Sequence, residues 1–284
     1  MMDFRIYASN NPIDELLLPE PIAIISDLKS FREENVESDG YRYYRVGAEK
    51  GGHEKVSDEL RVWCSDRDEY YEQVELLLLA NATSYPSTTI VDKSKYARTV
   101  TRGGVSIVNS IETIDGGAFD FTNSSGVRYL QTSISTLNTS DFDIELEMKV
   151  NSYSQYYPRV FVFGSSEGVV QGGFQFQIAS DGRSTLFINN GSIKLVGMSI
   201  NPIGSALMHH RIARKDGVFY YYIEGVLQSI DANYLSYNIN QSNFRLGGFD
   251  RNIVGYKSSV RITKGTTRYS LSGFTPPNEM FPTS

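Results

Sequence analysis

The sequence predicts an all-β protein in which a small β domain precedes a larger antiparallel β-sandwich. Three observations favour this class. The chain of 284 residues contains 19 Tyr, 15 Phe and 24 Gly, and aromatic side chains favour strands whereas glycines favour turns. Short runs of alternating polar and apolar residues recur along the chain, as in half-buried strands. No convincing helical period extends beyond about two turns.

Charge divides the chain into two parts. Residues 1–74 carry nine basic and 17 acidic side chains, a net charge of −8, whereas the remainder carries 18 and 16, a net charge of +2. The acidic stretch Ser65–Glu69 has no apolar residue and is typical of a linker. We therefore predict a docking segment over residues 1–64, an acidic linker over 65–73 and a β-sandwich over 74–284.

The first segment contains a hairpin pattern. Alternating runs at Tyr41–Ala48 and Glu59–Trp63 flank the turn Gly51-Gly52, which predicts two paired antiparallel strands. Phe4–Tyr7 and Ile22–Ile25 are two further strand candidates.

The second segment contains many short strands. From Val74 onward, apolar or alternating runs of about five to eight residues are separated by turn dipeptides such as Asp216-Gly217 and Glu224-Gly225. Asp141–Val150 alternates over most of its length. Many short strands at near-regular spacing predict a sandwich of two sheets.

Several short motifs keep the order and spacing of a known domain family. They include Asp141–Glu145, Tyr222–Gly225, Phe244–Gly248, Val260–Tyr269 and Phe274–Pro277. Together they resemble concanavalin A-like and laminin G-like jelly-roll domains, in the variant common in bacteriophage tail-fibre and receptor-binding proteins. The resemblance covers about residues 74–284. It implies a virion protein whose lectin-like domain attaches to a host-surface glycan or protein.

The N-terminal part resembles a second family. Tyr43–Ala48, the Gly51-Gly52 turn and Ser57–Val62 are similar to the last two strands of a fibronectin type III module, and Arg5–Ser9 fits an earlier strand. The chain begins too late to contain the first two strands of such a module, so unpaired backbone groups and part of the core would be exposed. We therefore expect this partial module to dock on other virion proteins, and we expect the chain to form a homo-oligomer.

Three acidic residues on one strand are the candidate catalytic group. Asp143, Glu145 and Glu147 alternate, which places their carboxylates on one face of the strand. Some jelly-roll glycosidases use paired carboxylates in this way. The alternative is structural, with the apolar residues between them in the core and the acids facing water. We favour the structural alternative and expect no enzymatic activity.

The candidate ligand-binding residues lie in two stretches rich in aromatic, amide and guanidinium groups. Such groups suit the recognition of sugars or proteins, and loops at the edge of a sandwich commonly carry binding sites. The tyrosines could alternatively pack on the sheet edge. The residues are Tyr153, Tyr156, Tyr157 and Arg159 in the first stretch, and Asp250, Arg251 and Asn252 in the second.

Metal and cofactor sites are not expected. The single cysteine, Cys64, excludes an internal disulfide and a cysteine-based zinc cluster, and the resemblance makes His209 and His210 structural. Calcium on a rim loop remains an alternative, although the candidate aspartates are scattered and solvated turn residues are the simpler interpretation. These candidates are Asp92, Asp115, Asp120 and Asp250.

Charge and hydropathy limit the partners. The net charge of −6 argues against nucleic acid, which requires a basic face. The longest wholly apolar stretch, Leu76–Ala80, is too short to cross a bilayer, and the N-terminus lacks a secretory pattern. The sequence therefore predicts a bacteriophage virion protein, made in the host cytoplasm, for host attachment. The alternatives are a glycoside hydrolase of bacterial surface polysaccharide and a purely structural decoration protein.

Overall fold

The computed structural model describes residues 3–9, 11–14, 17–26, 40–50, 53–58, 60–64, 68–123, 126–153, 158–164, 171–178, 183–189, 193–197, 206–249, 253–278 and 280–283. The chain divides into two compact units, Met1–Glu69 and Tyr70–Thr283, so the boundary falls at the end of the acidic stretch. Apart from one 3-10 turn at Tyr71–Gln73, the regular elements of the described residues are all strands. The predicted all-β class is confirmed. None of the described residues forms a helix long and apolar enough to span a membrane.

The first unit contains an antiparallel sheet of five strands. These are β1 (Asp3–Ser9), β2 (Ala23–Ser26), β3 (Gly40–Lys50), β4 (His53–Val56) and β5 (Leu60–Cys64). The order is β2-β1-β3-β4, and β5 also pairs with β3. The predicted hairpin is present as the β3–β5 pairing, with Tyr41 opposite Trp63.

A single residue explains why two strands share one edge of β3. Between β4 and β5, the backbone N–H of Ser57 donates to the carbonyl of Val46 at 2.9 Å, and the Ser57 hydroxyl accepts from the N–H of Val46 at 3.0 Å. The serine side chain thus replaces a strand hydrogen bond, as short polar residues do where regular pairing breaks. The chain that pairs with this edge of β3 is therefore divided into two strands, β4 and β5.

The second unit is a sandwich of two antiparallel sheets, as predicted. Its strands are β6 (Val74–Leu78), β7 (Thr101–Gly103), β8 (Ile107–Val108), β9 (Ala118–Asp120), β10 (Tyr129–Ser133), β11 (Phe142–Tyr153), β12 (Arg159–Phe163), β13 (Phe174–Ile178), β14 (Ser184–Asn189), β15 (Ile193–Gly197), β16 (Met208–Lys215), β17 (Val218–Ile223), β18 (Val226–Asp231), β19 (Asn243–Leu246) and β20 (Ile253–Lys264). One sheet has the order β15-β14-β13-β12-β19-β10-β7. The other has the order β18-β17-β16-β11-β20-β9-β8, and β6 also pairs with β20.

The hydrophobic core lies between the two sheets and is rich in phenylalanine. Phe163 and Phe174 of the seven-stranded sheet stack with their ring centroids 4.6 Å apart. Phe142 of β11 reaches across from the eight-stranded sheet and stacks on Phe174 at 5.9 Å. Each fully buried ring of this size contributes roughly 1.5–3 kcal/mol by removal from water, so these contacts join the sheets.

Two predicted turn dipeptides are confirmed by their backbone angles. Asp216 and Gly217 have φ values of 50° and 81°, and Glu224 and Gly225 have φ values of 50° and 72°. Positive φ at both central residues is the type I′ pattern that joins neighbouring antiparallel strands. These turns connect β16 to β17 and β17 to β18.

After β20, the chain crosses the outer face of the eight-stranded sheet. We call residues 265–278 together with 280–283 the C-terminal segment. The N–H of Phe274 donates to the carbonyl of Gly225 at 3.1 Å, and the Tyr222 hydroxyl donates to the carbonyl of Leu271 at 2.8 Å. Phe281 packs in a second small apolar cluster with Leu77. The segment therefore forms an integral layer of the second unit.

Gly225 permits the close approach of the C-terminal segment. A Cβ atom added there would collide with the Phe274 carbonyl oxygen, whereas one added at Gly116, which has a similar φ of 77°, would meet nothing within 4 Å. We expect Gly116→Ala to lower the free energy of unfolding by about 1–2 kcal/mol through backbone strain. Gly225→Ala should lower it by roughly 1–3 kcal/mol more, because the backbones must separate. Urea denaturation tests this difference, and equal losses would contradict it.

Candidate functional site

The three acidic residues of β11 lie on the face of the eight-stranded sheet that points away from the core. Asp143 and Glu145 are fully buried and Glu147 is 8% exposed. The expectation that these acids face water is therefore wrong, because the C-terminal segment covers this face. The alternating apolar residues do lie in the core, as predicted, and these are Phe142, Ile144, Leu146 and Met148.

Arginines neutralise the two fully buried carboxylates. Arg211 binds both oxygens of Asp143, with Nε to Oδ1 at 2.7 Å and the second guanidinium nitrogen to Oδ2 at 3.2 Å, and the backbone N–H of Arg268 donates to the same carboxylate. Arg261 binds Glu145 at 2.9 and 2.8 Å. We call Asp143, Glu145, Arg211, Arg261 and Arg268 the buried charge network. The Asp143–Arg211 pair is bidentate, which makes it strong and fixes its geometry, whereas both Arg261 contacts are to the same oxygen of Glu145, Oε2.

The network also holds the C-terminal segment. Arg211 donates to the carbonyls of Tyr269 at 3.3 Å and Ser270 at 3.1 Å, and its guanidinium lies 5.1 Å from the centre of the Phe274 ring. One side chain therefore joins β11, β16 and the C-terminal segment. The ion pair between Asp143 and Arg211 therefore helps to hold the C-terminal segment on the sheet.

The protonation of the acids differs along the row. Burial opposes ionisation of Glu145, but Arg261 and the neighbouring His209 outweigh it and hold the pKa of Glu145 well below its ordinary value. Burial and the nearby carboxylate of Asp115 raise the pKa of Glu147 to about 7. A neighbouring pair of carboxyl groups with one raised and one lowered pKa can act as the general acid and the general base of an active site. Here, however, Glu145 is fully buried and ion-paired with Arg261.

The described residues that flank the two predicted ligand-binding stretches lie at the same end of the sandwich. Tyr153, the last residue of β11, pairs with Ile253, the first residue of β20. The N–H of Gly247, just after β19, donates to the carbonyl of Val160 at 2.8 Å. The β11–β12 and β19–β20 connections therefore begin and end side by side. Five of the predicted residues lie outside the described residues, namely Tyr156, Tyr157, Asp250, Arg251 and Asn252.

Next to these connections, the seven-stranded sheet has polar residues on the face away from the core. We call Gln131, Arg159, Gln175, Gln177 and Arg245 the polar layer. Gln131 lies opposite Arg245 across β10 and β19, and Gln177 lies opposite Arg159 across β13 and β12. Four of the five are buried, and Gln131 is half-buried. Arg159 is thus a buried member of the layer.

The guanidinium of Arg245 is held between two aromatic rings. It lies 3.7 Å from the centre of the Tyr129 ring and 4.0 Å from that of Phe249. It also donates to Oε1 of Gln131 at 3.1 Å and to the carbonyl of Gly248 at 2.9 Å. Both rings are partly exposed, so the edge of this cluster is accessible.

The amides continue the layer across the sheet. Gln175 accepts from Nε of Arg159 at 3.4 Å and donates to Oε1 of Gln177 at 3.1 Å. Nε2 of Gln177 is buried and has no hydrogen-bond partner among the described residues. This layer was not among the predicted sites, although the alternation of Phe174–Ile178, with a glutamine at every second position, indicates a polar face on β13.

The aspartates considered for calcium have other partners. Asp92 accepts from the N–H groups of Leu77 and Ser94 at 3.1 and 2.9 Å, and Asp120 accepts from Thr122. Asp115 binds the hydroxyls of residues 258 and 259. Asp250 lies outside the described residues. No group of three or more His, Cys, Asp or Glu within the described part of the chain is placed to hold a metal ion.

The histidines lie on opposite faces of β16. His210 is fully buried, with Nδ1 2.8 Å from the hydroxyl of Tyr221, and burial lowers its pKa to about 3. His209 lies on the face of the buried charge network, with Nε2 3.4 Å from Glu145. His210 is therefore neutral near pH 7 and packs as part of the core.

Comparison with known proteins gives structural matches only. No family model matches the sequence, and no curated protein matches it. A crystal structure described as HCR/D-Sa-GBL1/C is similar with a TM-score of 0.54 and 15% identity, over 69% of this chain and 50% of that one. Domain 4 of AbnA, a GH43 extracellular arabinanase from Geobacillus stearothermophilus, in complex with arabinotriose, has a TM-score of 0.50 and 14% identity, over 68% and 93% of the two chains.

A third similar structure is Trypanosoma rangeli sialidase in complex with sialic acid. Its TM-score is 0.50 at 8% identity, over 82% of this chain and 42% of that one. The chain thus spans half the length of the first matched structure and about two fifths of the third. Likeness at these identities shows a shared β-sandwich fold.

Proposed function

We propose that this chain is a bacteriophage virion protein that attaches the particle to a polysaccharide on the host surface. The second unit binds the saccharide, and the first unit docks to other virion proteins. The polar layer carries this proposal, because it combines a guanidinium held between two rings with a row of amides. It lies beside the two connections in which the sequence predicts ligand contacts.

The chemistry of the polar layer suits a sugar. At its accessible edge, the half-buried amide of Gln131 can hydrogen-bond to hydroxyl groups, and the partly exposed rings of Tyr129 and Phe249 supply apolar surface. The arabinanase domain and the sialidase matched above were determined with arabinotriose and sialic acid respectively. Their shared fold is compatible with saccharide binding and supports this choice of ligand class.

The docking role of the first unit is proposed from its exposed apolar side chains. Leu17, Ile22 and Ile24 are 77%, 42% and 61% exposed. Ile24 lies in β2, which is the last strand of its sheet on one side. An apolar edge strand is a ready surface for pairing with another chain. We propose that another virion subunit covers it, and Ile24→Lys should then reduce incorporation of the chain into particles.

The main proposal is tested by measuring whether the chain binds polysaccharide without cleaving it. The intact chain should bind polysaccharides from the host surface and release no reducing ends from them. Phe249→Ala should weaken binding by roughly 3- to 30-fold, because the arginine loses one of its two rings. The matched control is Tyr96→Ala, which removes another exposed ring, one stacked at 4.0 Å on Arg98. It should leave binding unchanged.

Two outcomes would contradict the proposal. Equal loss of binding in the two variants would show that the polar layer has no particular part in recognition. Release of reducing ends with turnover would instead favour a glycoside hydrolase. Electron micrographs of particles carrying a gold label on this chain test the virion assignment, and unlabelled particles would overturn it.

A further inference from the structure

A separate cleft lies in the loop that follows β6. Its cavity volume is about 590 Å³, within the range of sites that hold small ligands. Five of its nine lining residues carry hydroxyl or amide groups, and Val91 adds an exposed apolar surface. The polar lining consists of Asn81, Thr83, Ser84, Ser87, Thr89 and Lys93. None of these residues belongs to the polar layer or to the predicted ligand-binding stretches.

The loop around the cleft is fixed at its base. Asp92 accepts from the N–H groups of Leu77, Ser94 and Arg98 at 3.1, 2.9 and 3.1 Å. Asp115 accepts from the N–H of Ala80 at 2.6 Å. Both aspartates are buried, and buried carboxylates that bind several backbone donors hold a loop in one conformation.

The loop is fixed at its far side as well. Ser87 and Ile107 exchange two backbone hydrogen bonds, at 2.9 and 2.7 Å. The hydroxyl of Tyr85 accepts from the N–H of Ala82 at 3.3 Å and donates to the carbonyl of Gly116 at 3.2 Å. A cleft built on a loop with these restraints is already formed before a ligand arrives, which lowers the entropic cost of binding.

Lys93 has a fixed backbone and an available charge. Its N–H donates to the carbonyl of Leu77 at 2.8 Å, and its carbonyl accepts from the hydroxyl of Tyr71 at 3.0 Å. Among the described residues, no carboxylate pairs with its ammonium group. Lys95, two residues later, pairs instead with Glu72 at 2.9 Å. The cleft therefore presents a single positive charge beside several hydroxyl groups.

We propose that this cleft binds one carboxylated sugar residue of an acidic polysaccharide. The ammonium of Lys93 binds the sugar carboxylate, and the side chains of Thr83, Ser84 and Thr89 hydrogen-bond to the sugar hydroxyls. Val91 packs against the apolar face of the ring. This inference rests on the proposed attachment function and names both a second site and the chemical class of its ligand.

Other ligand classes fit the cleft less well. One lysine matches a single negative charge, whereas nucleic acid needs a basic face with many phosphate contacts. A purely apolar ligand would leave the hydroxyl and amide groups without partners, which is unfavourable when water is excluded. A sugar acid satisfies both the charge and the hydroxyls.

The test compares carboxylated and uncharged saccharides on the intact chain. Isothermal titration calorimetry with glucuronic, galacturonic and N-acetylneuraminic acid oligosaccharides should show binding of at least one of them. Its carboxyl-reduced counterpart should bind at least tenfold more weakly. Lys93→Gln should weaken binding of the acidic saccharide roughly tenfold or more, as expected for loss of a charge-assisted hydrogen bond. The same Lys93→Gln substitution should change the dissociation constant of the carboxyl-reduced saccharide by no more than about twofold.

The matched control is Lys95→Gln, which removes an equal charge two residues away. Unchanged binding in this variant supports the inference, and a loss equal to that of Lys93→Gln overturns it as a general charge effect. If the chain binds neutral polysaccharides but none of the three acids, the inference fails and the proposed function stands. If no saccharide of either kind binds, both fail.

Discussion

Arg211→Met should lower the free energy of unfolding of the second unit by about 3–5 kcal/mol. Asp143 is fully buried, and Arg211 supplies the only guanidinium that binds both of its oxygens among the described contacts. Removing one partner of a buried ion pair leaves an uncompensated charge in a medium that solvates it poorly. The same substitution removes the bonds to Tyr269 and Ser270, so the C-terminal segment loosens. Denaturant unfolding monitored by far-UV circular dichroism measures this loss of stability.

Lys215→Met is the matched control for this variant. Lys215 lies on the same strand and the same face, four residues from Arg211, and pairs with Asp141 at 2.6 Å. Its side chain is 40% exposed, so solvent screens the pair and the stability should change little. The double variant Arg211→Met with Asp143→Leu should recover part of the loss, because neither charge then remains buried alone. Similar effects of the two single variants would contradict the assigned role of the network.

Lys257→Met should raise the free energy of unfolding by about 1–4 kcal/mol near pH 6.5. Lys257 points into the core between Met148 and Phe119, with its ammonium 3.9 Å from the centre of the Phe121 ring. It donates to the carbonyl of Val160 at 3.1 Å, but that carbonyl also accepts from the N–H of Gly247. A methionine therefore leaves no orphaned acceptor while removing a buried charge.

The gain should depend on pH in a defined direction. Burial lowers the pKa of Lys257 from 10.5 to about 7, so the unfolded chain binds more protons than the folded chain between about pH 7 and 10.5. The stability of the wild type therefore rises with pH across this window. The advantage of Lys257→Met should be largest below pH 7 and smaller at pH 9.5. A constant advantage for Lys257→Met across this pH range would refute the explanation.

Local patterns predicted many of the strands and two of their turns, but they did not predict β7, β8, β15 or β18. Alternation in Phe142–Met148 placed the apolar side chains in the core correctly, because period-two geometry holds in any pleated strand. The dipeptides Asp216-Gly217 and Glu224-Gly225 marked the hairpins because few residue pairs tolerate two positive φ values. What these patterns could not predict was which face of a sheet would be covered.

The environment of the acids depends on contacts that are distant in sequence. Asp143 receives its hydrogen bonds from Arg211 and Arg268, which lie 68 and 125 residues away. A strand pattern alone cannot distinguish a solvated face from one covered by a later segment. Arg159 shows the same limit, because its residue type suggested an exposed loop contact, whereas it lies at the start of β12 as a buried member of the polar layer. The cleft at Lys93 likewise depends on restraints from Asp92 and Asp115.

The position of β20 in the sheet has a consequence for biosynthesis. Ile253–Lys264 pairs with β11 on one edge and with β6 and β9 on the other, so it joins strands made far earlier. The eight-stranded sheet therefore cannot close until residue 264 has left the ribosome. Until then the nascent chain exposes unpaired β-strands that favour aggregation. We accordingly expect the yield of soluble protein to increase with slower synthesis or with chaperones that protect the emerging polypeptide.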